Sequence, residues 1–361
     1  MPVETIEVPV SQPYPVLLGD GLDPAEAVSE RLQPGACVIL TDSNVGPLYA
    51  DAVKSALEEA GWRVLGVVEV PAGEASKGIG TYSDAVGRLA RLGLGRDGTV
   101  FALGGGVVGD LGGFVAATFM RGVDLVVLPT SLLSMVDSAV GGKTGLDLPE
   151  GKNLVGSFVR PRAVVADTRW LRTLPDSEVS NGLAEVVKMG LLSGGEFFDE
   201  LTLIPGARSG DGEALRALIR HSIRFKAAVV GEDEREGGRR AILNYGHTIG
   251  HALEAAADFA LPHGAAISAG MVAAAGLSSS RFARDLTGLH EDLLRSAGLP
   301  LRSPGVDVDA ALRAMSRDKK RSVADASTEH RFVLLRDVGQ PVYGVAVGDD
   351  EARRAIGALV G

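Results

Sequence analysis

The stretch TVFALGGGVVGDLGGF, residues 99–114, determines the fold that this chain is expected to adopt. Its first five residues are rich in apolar and β-branched side chains and predict a buried strand, and the glycines after them predict a tight turn into a helix. Backbone N–H groups in such a turn can approach a pyrophosphate, because the helix N-terminus favours negative charge. Gly104, Gly106 and Gly109 have the glycine spacing of a dinucleotide fingerprint, but the motif departs from the full fingerprint, so a tight turn packed against a neighbouring strand is an equal alternative. Asp110, close to the helix start, is by itself more typical of a helix cap than of a catalytic group.

Strand-like and helix-like segments alternate on both sides of this stretch. Strands are predicted over 37–41, 63–68, 99–103 and 124–128, and helices from the turn at 42–44 through Leu57 and over 81–92. This alternation is typical of a parallel sheet with helices on both faces. From about residue 176 the periodicity becomes helical, over 178–193, 212–231, 248–260, 264–284 and 309–317, with a charged loop at 231–240. We therefore expect an α/β domain with a Rossmann-like parallel sheet over 1–176 and a mainly α-helical domain over 177–361.

Length and composition favour a two-domain globular protein. The chain has 361 residues, well above the usual domain size of about 100–150 residues. A hydrophobic fraction of 45% and a charged fraction of 23% exclude a disordered, collagenous or coiled-coil protein. The net charge of −10 disfavours a nucleic-acid binder, and the single cysteine, Cys37, excludes a disulfide framework. No signal-peptide core or membrane-spanning segment is recognisable, so we expect a cytoplasmic protein that does not contact membranes.

A glycine-rich segment with two lysines, PTSLLSMVDSAVGGKTGLDLPEGKNLVGSF, covers residues 129–158. Its GGKT fragment is not a phosphate loop, because Asp137 stands where that loop needs a glycine. Lys143, Lys152 and Asn153 lie on a polar and flexible stretch, which suggests recognition of an anion. Lysines on a solvated loop are the alternative.

Two histidines in ILNYGHTIGHALEA, residues 242–255, share a helix face. His247 and His251 are spaced i, i+4, and Glu254 falls on the same side. Histidines at this spacing can ligate zinc, and His263 can supply another nitrogen after the chain turns back at Pro262. Structural histidines, buried or at the surface, are the alternative.

The segment SNGLAEVVKMGLL, residues 180–192, places Glu185 and Lys188 in an otherwise apolar helix. The two side chains could form a surface ion pair that contributes a few tenths of a kcal/mol. Their apolar neighbours instead favour burial of at least one charge, whose cost a metal-ligating carboxylate and an anion-binding lysine would offset. Basic residues elsewhere, Arg121, Lys226, Arg240 and Lys319 among them, could steer an anionic substrate if the fold brought them together.

Taken in order, these segments resemble the 3-dehydroquinate synthase family. The segments that carry the resemblance are TDSNVGPLY (41–49), GEASK (73–77), ALGGGVVGDLGGF (102–114), SMVDSAVGGKTG (134–145), GKNLVG (151–156), GLAEVVK (182–188), ILNYGHTIGHALE (242–254), HGAA (263–266) and DKK (318–320). The resemblance implies conversion of 3-deoxy-D-arabino-heptulosonate 7-phosphate, a phosphorylated sugar acid, into 3-dehydroquinate and phosphate. It implies bound NAD, which transiently oxidises a ring hydroxyl before phosphate is eliminated, and a Zn²⁺ or Co²⁺ ion that polarises the reacting oxygens. The hydride then returns, and an intramolecular aldol reaction closes the carbocycle.

The resemblance also implies a role for individual residues, in an active site in the cleft between the two domains. The metal ligands would be Glu185, His247 and His263. The cofactor pocket would comprise Asp42, Asn44, Glu74, Lys77, Gly105, Gly106, Val107, Val108, Gly109, Asp110, Thr130, Ser131, Asp137, Lys143, Lys152 and Thr173. The substrate would contact Lys143, Lys152, Asn153, Lys188, Lys226, Arg240, Asn244, His251 and one of Lys319 and Lys320, with Arg121 reaching across the interface of a homodimer.

Related activities stay open at this point. Aminodehydroquinate, deoxy-inosose and valiolone synthases share this chemistry, but Lys226, Arg240, Asn244 and the DKK segment favour a substrate that carries a carboxylate. A metal-dependent polyol dehydrogenase would accumulate NADH, and a non-catalytic nucleotide-binding protein would be expected to lose some of the metal and lysine positions. Two departures from the family are visible: the segment 320–330 is long, which leaves the choice between Lys319 and Lys320 open, and Ala265 stands where the family often has an acidic residue.

Overall fold

A computed structural model describes residues 3–258, 260–282, 284–317 and 329–360 of the chain. Contacts between Cα atoms divide it into two units: Met1–Leu174 with Lys226–Arg235, and Pro175–Phe225 with Glu236–Gly361. The sequence-based division assigns residues 226–235 to the helical domain, whereas in the structure this segment groups with the first unit. Within the described residues, no helix combines the length and the apolar content that crossing a membrane requires.

The first unit is an α/β unit built on a seven-stranded sheet. Its sheet strands are β1 (Glu4–Val8), β2 (Tyr14–Gly19), β3 (Ala36–Asp42), β4 (Arg63–Val70), β5 (Thr99–Gly104), β6 (Asp124–Pro129) and, later in the chain, β9 (Ala163–Asp167). Its helices are α1 (Pro24–Val28), α2 (Gly46–Glu59), α3 (Ile79–Arg91) and α4 (Gly106–Thr118). The strand order is β1-β2-β9-β6-β5-β3-β4. All neighbouring pairs are parallel except β1 with β2, an N-terminal addition that the sequence analysis did not predict.

The segments that follow β3, β5 and β6 contain predicted cofactor residues, and all three leave the sheet at the edge formed by the carboxyl ends of these strands. Thr41 pairs with Leu103, and Gly104 pairs with Pro129, so the residues just after these positions leave the sheet side by side. β5 is buried along its whole length, as expected for a strand covered on both faces. The parallel sheet predicted around residues 99–114 is therefore confirmed, and its carboxyl edge is where open α/β sheets bind ligands.

The glycine-rich segment after β6 forms a hairpin, so its interpretation as a flexible loop was wrong. β7 (Lys143–Leu148) and β8 (Gly151–Phe158) pair antiparallel. Gly145 faces Gly156 across the pair, and a Cβ at Gly145 would lie only 2.7 Å from the carbonyl oxygen of Val155. Glycine is depleted in strands, which is why sequence patterning misses a hairpin that needs it for close approach.

The second unit is mainly helical, as predicted. Its helices are α5 (Asp176–Ser193), α6 (Gly195–Asp199), α7 (Ile204–Arg208), α8 (Gly212–Glu232, whose last residues belong to the first unit), α9 (His247–Ala256), α10 (His263–Arg281), α11 (Thr287–Ser296), α12 (Val308–Arg317) and α13 (Asp349–Val360). The antiparallel strands β10 (Glu329–Leu335) and β11 (Pro341–Gly348) were not predicted. The charged stretch 231–240 is a loop only in its middle, because it begins as the end of α8 and runs into a 3₁₀ turn at Arg239–Asn244.

Glycines let α9 and α10 pack closely. Gly246 precedes α9 with a φ of +77°, a conformation that favours glycine. A Cβ at Gly250 would lie 2.6 Å from a side-chain carbon of Ile267 and 3.1 Å from the carbonyl oxygen of Ala266. The close crossing brings the first residues of the two helices, His247 and His263, near each other.

Candidate active site

Three potential metal ligands converge in the second unit. Glu185 lies on α5, and His247 and His263 are the first residues of α9 and α10. One ligand atom from each lies within 4.8 Å of the others. Glu185 Oε1 is 3.4 Å from His247 Nε2 and 3.3 Å from His263 Nε2. One carboxylate and two imidazoles, called the triad below, fit a zinc-type ion that keeps a further position open for substrate.

The start of α10 is fixed against α5, one turn from Glu185. The backbone N–H of Gly264 donates to Asn181 Oδ1 at 2.5 Å. A Cβ at Gly264 would lie 2.6 Å from the backbone oxygen of Asn181, so this position has room only for glycine. The HisGly pair therefore sets the position of His263 relative to Glu185.

The charges around the triad favour an ionised carboxylate. Glu185 and Lys188 are both buried and paired with each other, which excludes the interpretation as a surface ion pair. Burial alone would raise the pKa of Glu185, but Lys188 and His263 lower it to about 2. Burial and the charge of Lys188 hold the pKa of His247 well below its usual value. Burial would lower the pKa of His263 too, but hydrogen bonding to Glu185 and Glu254 raises it to about 10 in the metal-free chain.

The second ring nitrogen of each triad histidine also faces an oxygen. His247 Nδ1 lies 3.1 Å from the carbonyl oxygen of Tyr245, and His263 Nδ1 lies 3.4 Å from Glu254 Oε1. His251, one turn along from His247, has a side chain that is 46% exposed and lies 4.0 Å from Glu254. His251, Glu254 and His263 form a second group with metal-ligand spacing. The histidine face predicted from the i, i+4 spacing thus exists, and it contains more than the triad.

The glycine-rich turn of the first unit exposes the N-terminus of a long helix. Gly105 is the N-cap of α4, and the space above Gly109 is open, since a Cβ there would meet nothing within 4 Å among the described residues. The Val108 side chain is fully buried and packs at Gly104, so only its backbone could meet a ligand. Val107 and Gly106 are half-buried beside it. The N–H groups of this first turn suit a phosphate or pyrophosphate.

Asp110 is a partner of a buried lysine rather than a helix cap. It lies inside α4, and its Oδ2 is 2.5 Å from the Nζ of Lys77, whose side chain is 4% exposed. Glu74 Oε1 lies 3.9 Å from Lys77 and 3.6 Å from Lys152. Burial would lower the pKa of Lys77, but Asp110 and Glu74 raise it, so this lysine stays charged. The interpretation of Asp110 as a cap was wrong because sequence shows its position near the helix start but not its partner.

A second buried lysine, Lys226 on α8, pairs with a turn that follows β6. The Nζ of Lys226 donates to Asp137 Oδ1 at 2.7 Å and to the Asp137 carbonyl oxygen at 2.5 Å. Asp137 belongs to a π-helical turn, Ser134–Ser138, a form often found at functional sites. Just before it, Thr130 is buried and Ser131 Oγ accepts from the N–H of Ser134. Lys226 and Asp137 both belong to the first unit, and the pair joins parts of the chain that are 89 positions apart in sequence.

The remaining predicted residues fall into two groups. Some shape the backbone or hold neighbours: Asp42 accepts from the N–H groups of Asn44 and Val45, Thr173 bonds Tyr49, Asn153 (φ 54°) donates its N–H to Asp147, and Asn244 donates to Glu236. For the others the structure gives the position in the fold. Gly105 is the N-cap of α4, and Arg240 is buried in a 3₁₀ turn. Lys143 is exposed at the start of β7, and Arg121 is exposed in the turn Phe119–Arg121 with a φ of 70°. Lys319 and Lys320 lie outside the described residues.

Sequence reasoning missed two contributors to these clusters. Tyr245 acts through its backbone carbonyl, for which no sequence signal exists. Asp147 holds the backbone of Asn153 from the facing strand of the hairpin, and its role depended on a hairpin that was not predicted. Glu254 was recognised on the histidine face but was not assigned to the site, although its i, i+3 spacing from His251 was a usable signal.

Two family models match the chain. The model for the N-terminal part of 3-dehydroquinate synthase matches residues 67–181, and the model for its C-terminal part matches residues 182–321. A curated 3-dehydroquinate synthase of Xanthomonas campestris pv. campestris (strain 8004) is 46% identical over 354 residues, which cover 94% of each chain. The chain belongs to the 3-dehydroquinate synthase family. Because both models match in order, the family resemblance seen in the motifs is confirmed over most of the chain.

Solved structures of related cyclases share the fold of this dehydroquinate synthase family member. A 2-deoxy-scyllo-inosose synthase, complexed with carbaglucose-6-phosphate, NAD⁺ and Co²⁺, has a TM-score of 0.88 and 28% identity and covers 98% of this chain and 99% of its own. The 2-epi-5-epi-valiolone synthase ValA of Streptomyces hygroscopicus subsp. jinggangensis 5008, with NAD⁺ and Zn²⁺ bound, has a TM-score of 0.84 and 25% identity and covers 96% of each chain. The fold is therefore that of the dehydroquinate synthase-like cyclases.

Proposed function

We propose that this chain converts 3-deoxy-D-arabino-heptulosonate 7-phosphate into 3-dehydroquinate and inorganic phosphate. The observation that carries the proposal is the convergence of Glu185, His247 and His263 in a chain that matches both parts of the dehydroquinate synthase family. The proposed reaction breaks one C–O bond to phosphate and closes a carbocycle. It leaves no net oxidation, so the enzyme is a carbon–oxygen lyase.

NAD and a Zn²⁺ or Co²⁺ ion are the proposed cofactors. The donor set of the triad fits such an ion, and the open, glycine-lined N-terminus of α4 fits the pyrophosphate of NAD. The presence of NAD⁺ with Co²⁺ or Zn²⁺ in two related cyclases supports both assignments. When bound, NAD supplies a reversible hydride acceptor, and the metal ion supplies a Lewis acid for the substrate oxygens.

The charged side chains of both units suit a doubly anionic substrate. In the second unit, Lys188 lies against Glu185, so it can hold a substrate oxygen next to the metal ligands. In the first unit, Lys152 is partly exposed beside Glu74 and can bind a carboxylate or phosphate. Lys226 fixes Asp137, whose carboxylate can accept a hydrogen bond from a hydroxyl of the cofactor or substrate. We propose that the first unit is the NAD-binding domain and the second the metal- and substrate-binding domain.

A homodimer in the cytoplasm completes the proposal. The exposed turn that carries Arg121 is held in a left-handed conformation, which supports a specific role for this side chain at an interface. The substrate is a small molecule, and neither a nucleic acid nor a membrane is proposed as a partner.

The experiment that tests this function follows phosphate and NADH in the same sample. The chain, loaded with NAD⁺ and Zn²⁺, is mixed with the heptulosonate phosphate. We expect phosphate release and 3-dehydroquinate formation in equal amounts, with no lasting absorbance from NADH. Phosphate release from the amino analogue alone would make the chain an aminodehydroquinate synthase, whereas net NADH from simple polyols would make it a dehydrogenase. Either outcome would overturn the proposal.

A further inference from the structure

Glu254 is a buried carboxylate next to the triad but outside it. Its side chain is 4% exposed, and its Oε1 lies 3.4 Å from His263 Nδ1. A carboxylate buried at this level must interact with positive or hydrogen-bond-donating groups, because an uncompensated buried charge is costly. Glu254 also stands one helical turn after His251 on α9, the helix that begins with His247. It therefore belongs to the same rigid element as one ligand of the triad and contacts another.

The geometry of His263 gives its two nitrogens different tasks. Nε2 lies 3.3 Å from Glu185 Oε1 and points into the triad, and Nδ1 lies on the Glu254 side. If Nε2 ligates a metal ion, Nδ1 must carry the ring proton, and that proton then points to Glu254. Outer carboxylates of this kind orient a ligating histidine and make it a better donor.

We propose that Glu254 is a positioning residue of the metal centre, which holds the Nδ1–H of His263 so that Nε2 faces the metal. This inference rests on the metal site of the proposed function and deepens it. His247 has a weaker equivalent, since its Nδ1 faces the neutral carbonyl oxygen of Tyr245 at 3.1 Å. Of the two triad histidines, His263 is thus the one held by a charged acceptor. It is also the more exposed, with a side chain 26% exposed against 11% for His247, so it needs the stronger restraint.

The group His251, Glu254 and His263 could alternatively be a second metal site. That site would use Nδ1 of His263 while the triad uses Nε2, so the ring would have to lose both protons and bridge two cations. The side chain of His251 is 46% exposed, so water can reach it when no metal is bound, whereas a positioning role needs only the proton already present on His263. The structure therefore favours one metal ion with Glu254 outside its ligand sphere.

The test compares zinc loss from four forms of the holoenzyme: the unchanged chain, Glu254→Gln, Glu254→Met and the control Glu351→Met. Glutamine keeps an oxygen acceptor at this position, and methionine keeps similar length and burial without one. Glu351 pairs with Arg281 at the surface of the same unit, far from the triad in sequence. The zinc-loaded proteins are mixed with excess chromophoric chelator, and the rate of metal transfer is recorded without substrate. Cobalt-substituted forms give an absorption spectrum that reports ligand geometry.

We expect Glu254→Met to release zinc about 10- to 100-fold faster than the unchanged chain, because removal of an outer partner of a metal ligand typically lowers metal affinity by about that factor. Glu254→Gln should release zinc at a rate close to that of the unchanged chain, and Glu351→Met should release it at the same rate as the unchanged chain. Only Glu254→Met should alter the cobalt spectrum. Melting of the metal-free proteins shows whether each variant is folded.

Equal zinc release from Glu254→Met and the unchanged chain would overturn the positioning role and leave the proposed function intact. Two tightly bound zinc ions per unchanged chain would overturn it in favour of a second site. Failure of the unchanged chain to bind zinc at all would instead refute the metal site of the proposed function. If Glu254→Met did not fold, equal zinc release from Glu254→Gln and a folded Glu254→Ala would decide against the role.

Discussion

Zinc binding to the metal-free chain should release one proton, and the source of that proton can be named. His263 has a pKa raised to about 10, so it is protonated at neutral pH when no metal is present. Glu185, with a pKa of about 2, is already ionised, and His247, whose pKa lies well below its usual value, is already neutral. A metal ion can bind His263 Nε2 only after its proton leaves.

The size of the effect follows from the distance between pH and pKa. At pH 7 the pKa of about 10 lies three units higher, so the proton weakens zinc binding roughly 1,000-fold, or about 4 kcal/mol. Affinity should therefore rise about tenfold for each unit of pH below about pH 7, where a zinc-bound water stays protonated. As pH falls, the proton wins the competition and the metal is lost.

Calorimetry in buffers of different ionisation enthalpy counts the protons directly. The titration is made at pH 6, where a zinc-bound water, with a pKa near 7, stays protonated and does not add to the count. One proton per zinc is expected. Two protons would show that His247 is also charged in the metal-free chain, and none would show that His263 is neutral there; either result would refute the electrostatic reasoning.

Three further outcomes are expected. His247→Ala removes one of the three proposed metal ligands and should abolish turnover while circular dichroism stays unchanged; full activity would exclude the triad as the catalytic metal site. Gly264→Ala places a Cβ 2.6 Å from a backbone oxygen and should lower the free energy of unfolding, measured in urea, by about 1–3 kcal/mol. The control is Gly276→Ala on the same helix, where a Cβ meets nothing within 4 Å in the described part of the chain. This variant should be neutral or stabilising. Burial lowers the pKa of His290 from 6.5 to about 4, so the folded state resists protonation of this side chain. About 3 kcal/mol of the free energy of unfolding therefore depends on pH: it is fully present above pH 6.5 and is lost as pH falls toward 4. A His290→Gln variant should lack this part of the acid sensitivity in urea titrations at a series of pH values, and an identical pH profile would contradict the assignment.

Local patterning predicted most of the regular structure because its causes are local. The apolar run of residues 99–103 and the glycines after it produce β5 and the start of α4 where expected. The long helices α5, α8 and α10 were found from their periodicity to within a few residues. Motifs also indicated Glu185, His247 and His263 as candidate metal ligands, since their residue types and order carry the family resemblance.

The β7–β8 hairpin and the partners of charged groups depended on tertiary structure. Strands β7 and β8 have glycines opposite each other across the pair, and propensity scales count glycine against a strand. Asp110 pairs with Lys77, and Lys226 with Asp137, across 33 and 89 positions of sequence. Burial removes these side chains from water, and only the fold decides which opposite charge is available to each.

The sequence by itself indicated the candidate residues for the chemistry, because a metal ion and a pyrophosphate accept few donor types and those types recur at fixed spacings. The tertiary structure alone decided how each donor is held. The two nitrogens of His263 have the same sequence position, and only the packing of α10 against α5 and α9 directs one toward Glu185 and the other toward Glu254. Orientation and protonation depend on neighbours that are distant in sequence, so they are properties of the packed molecule.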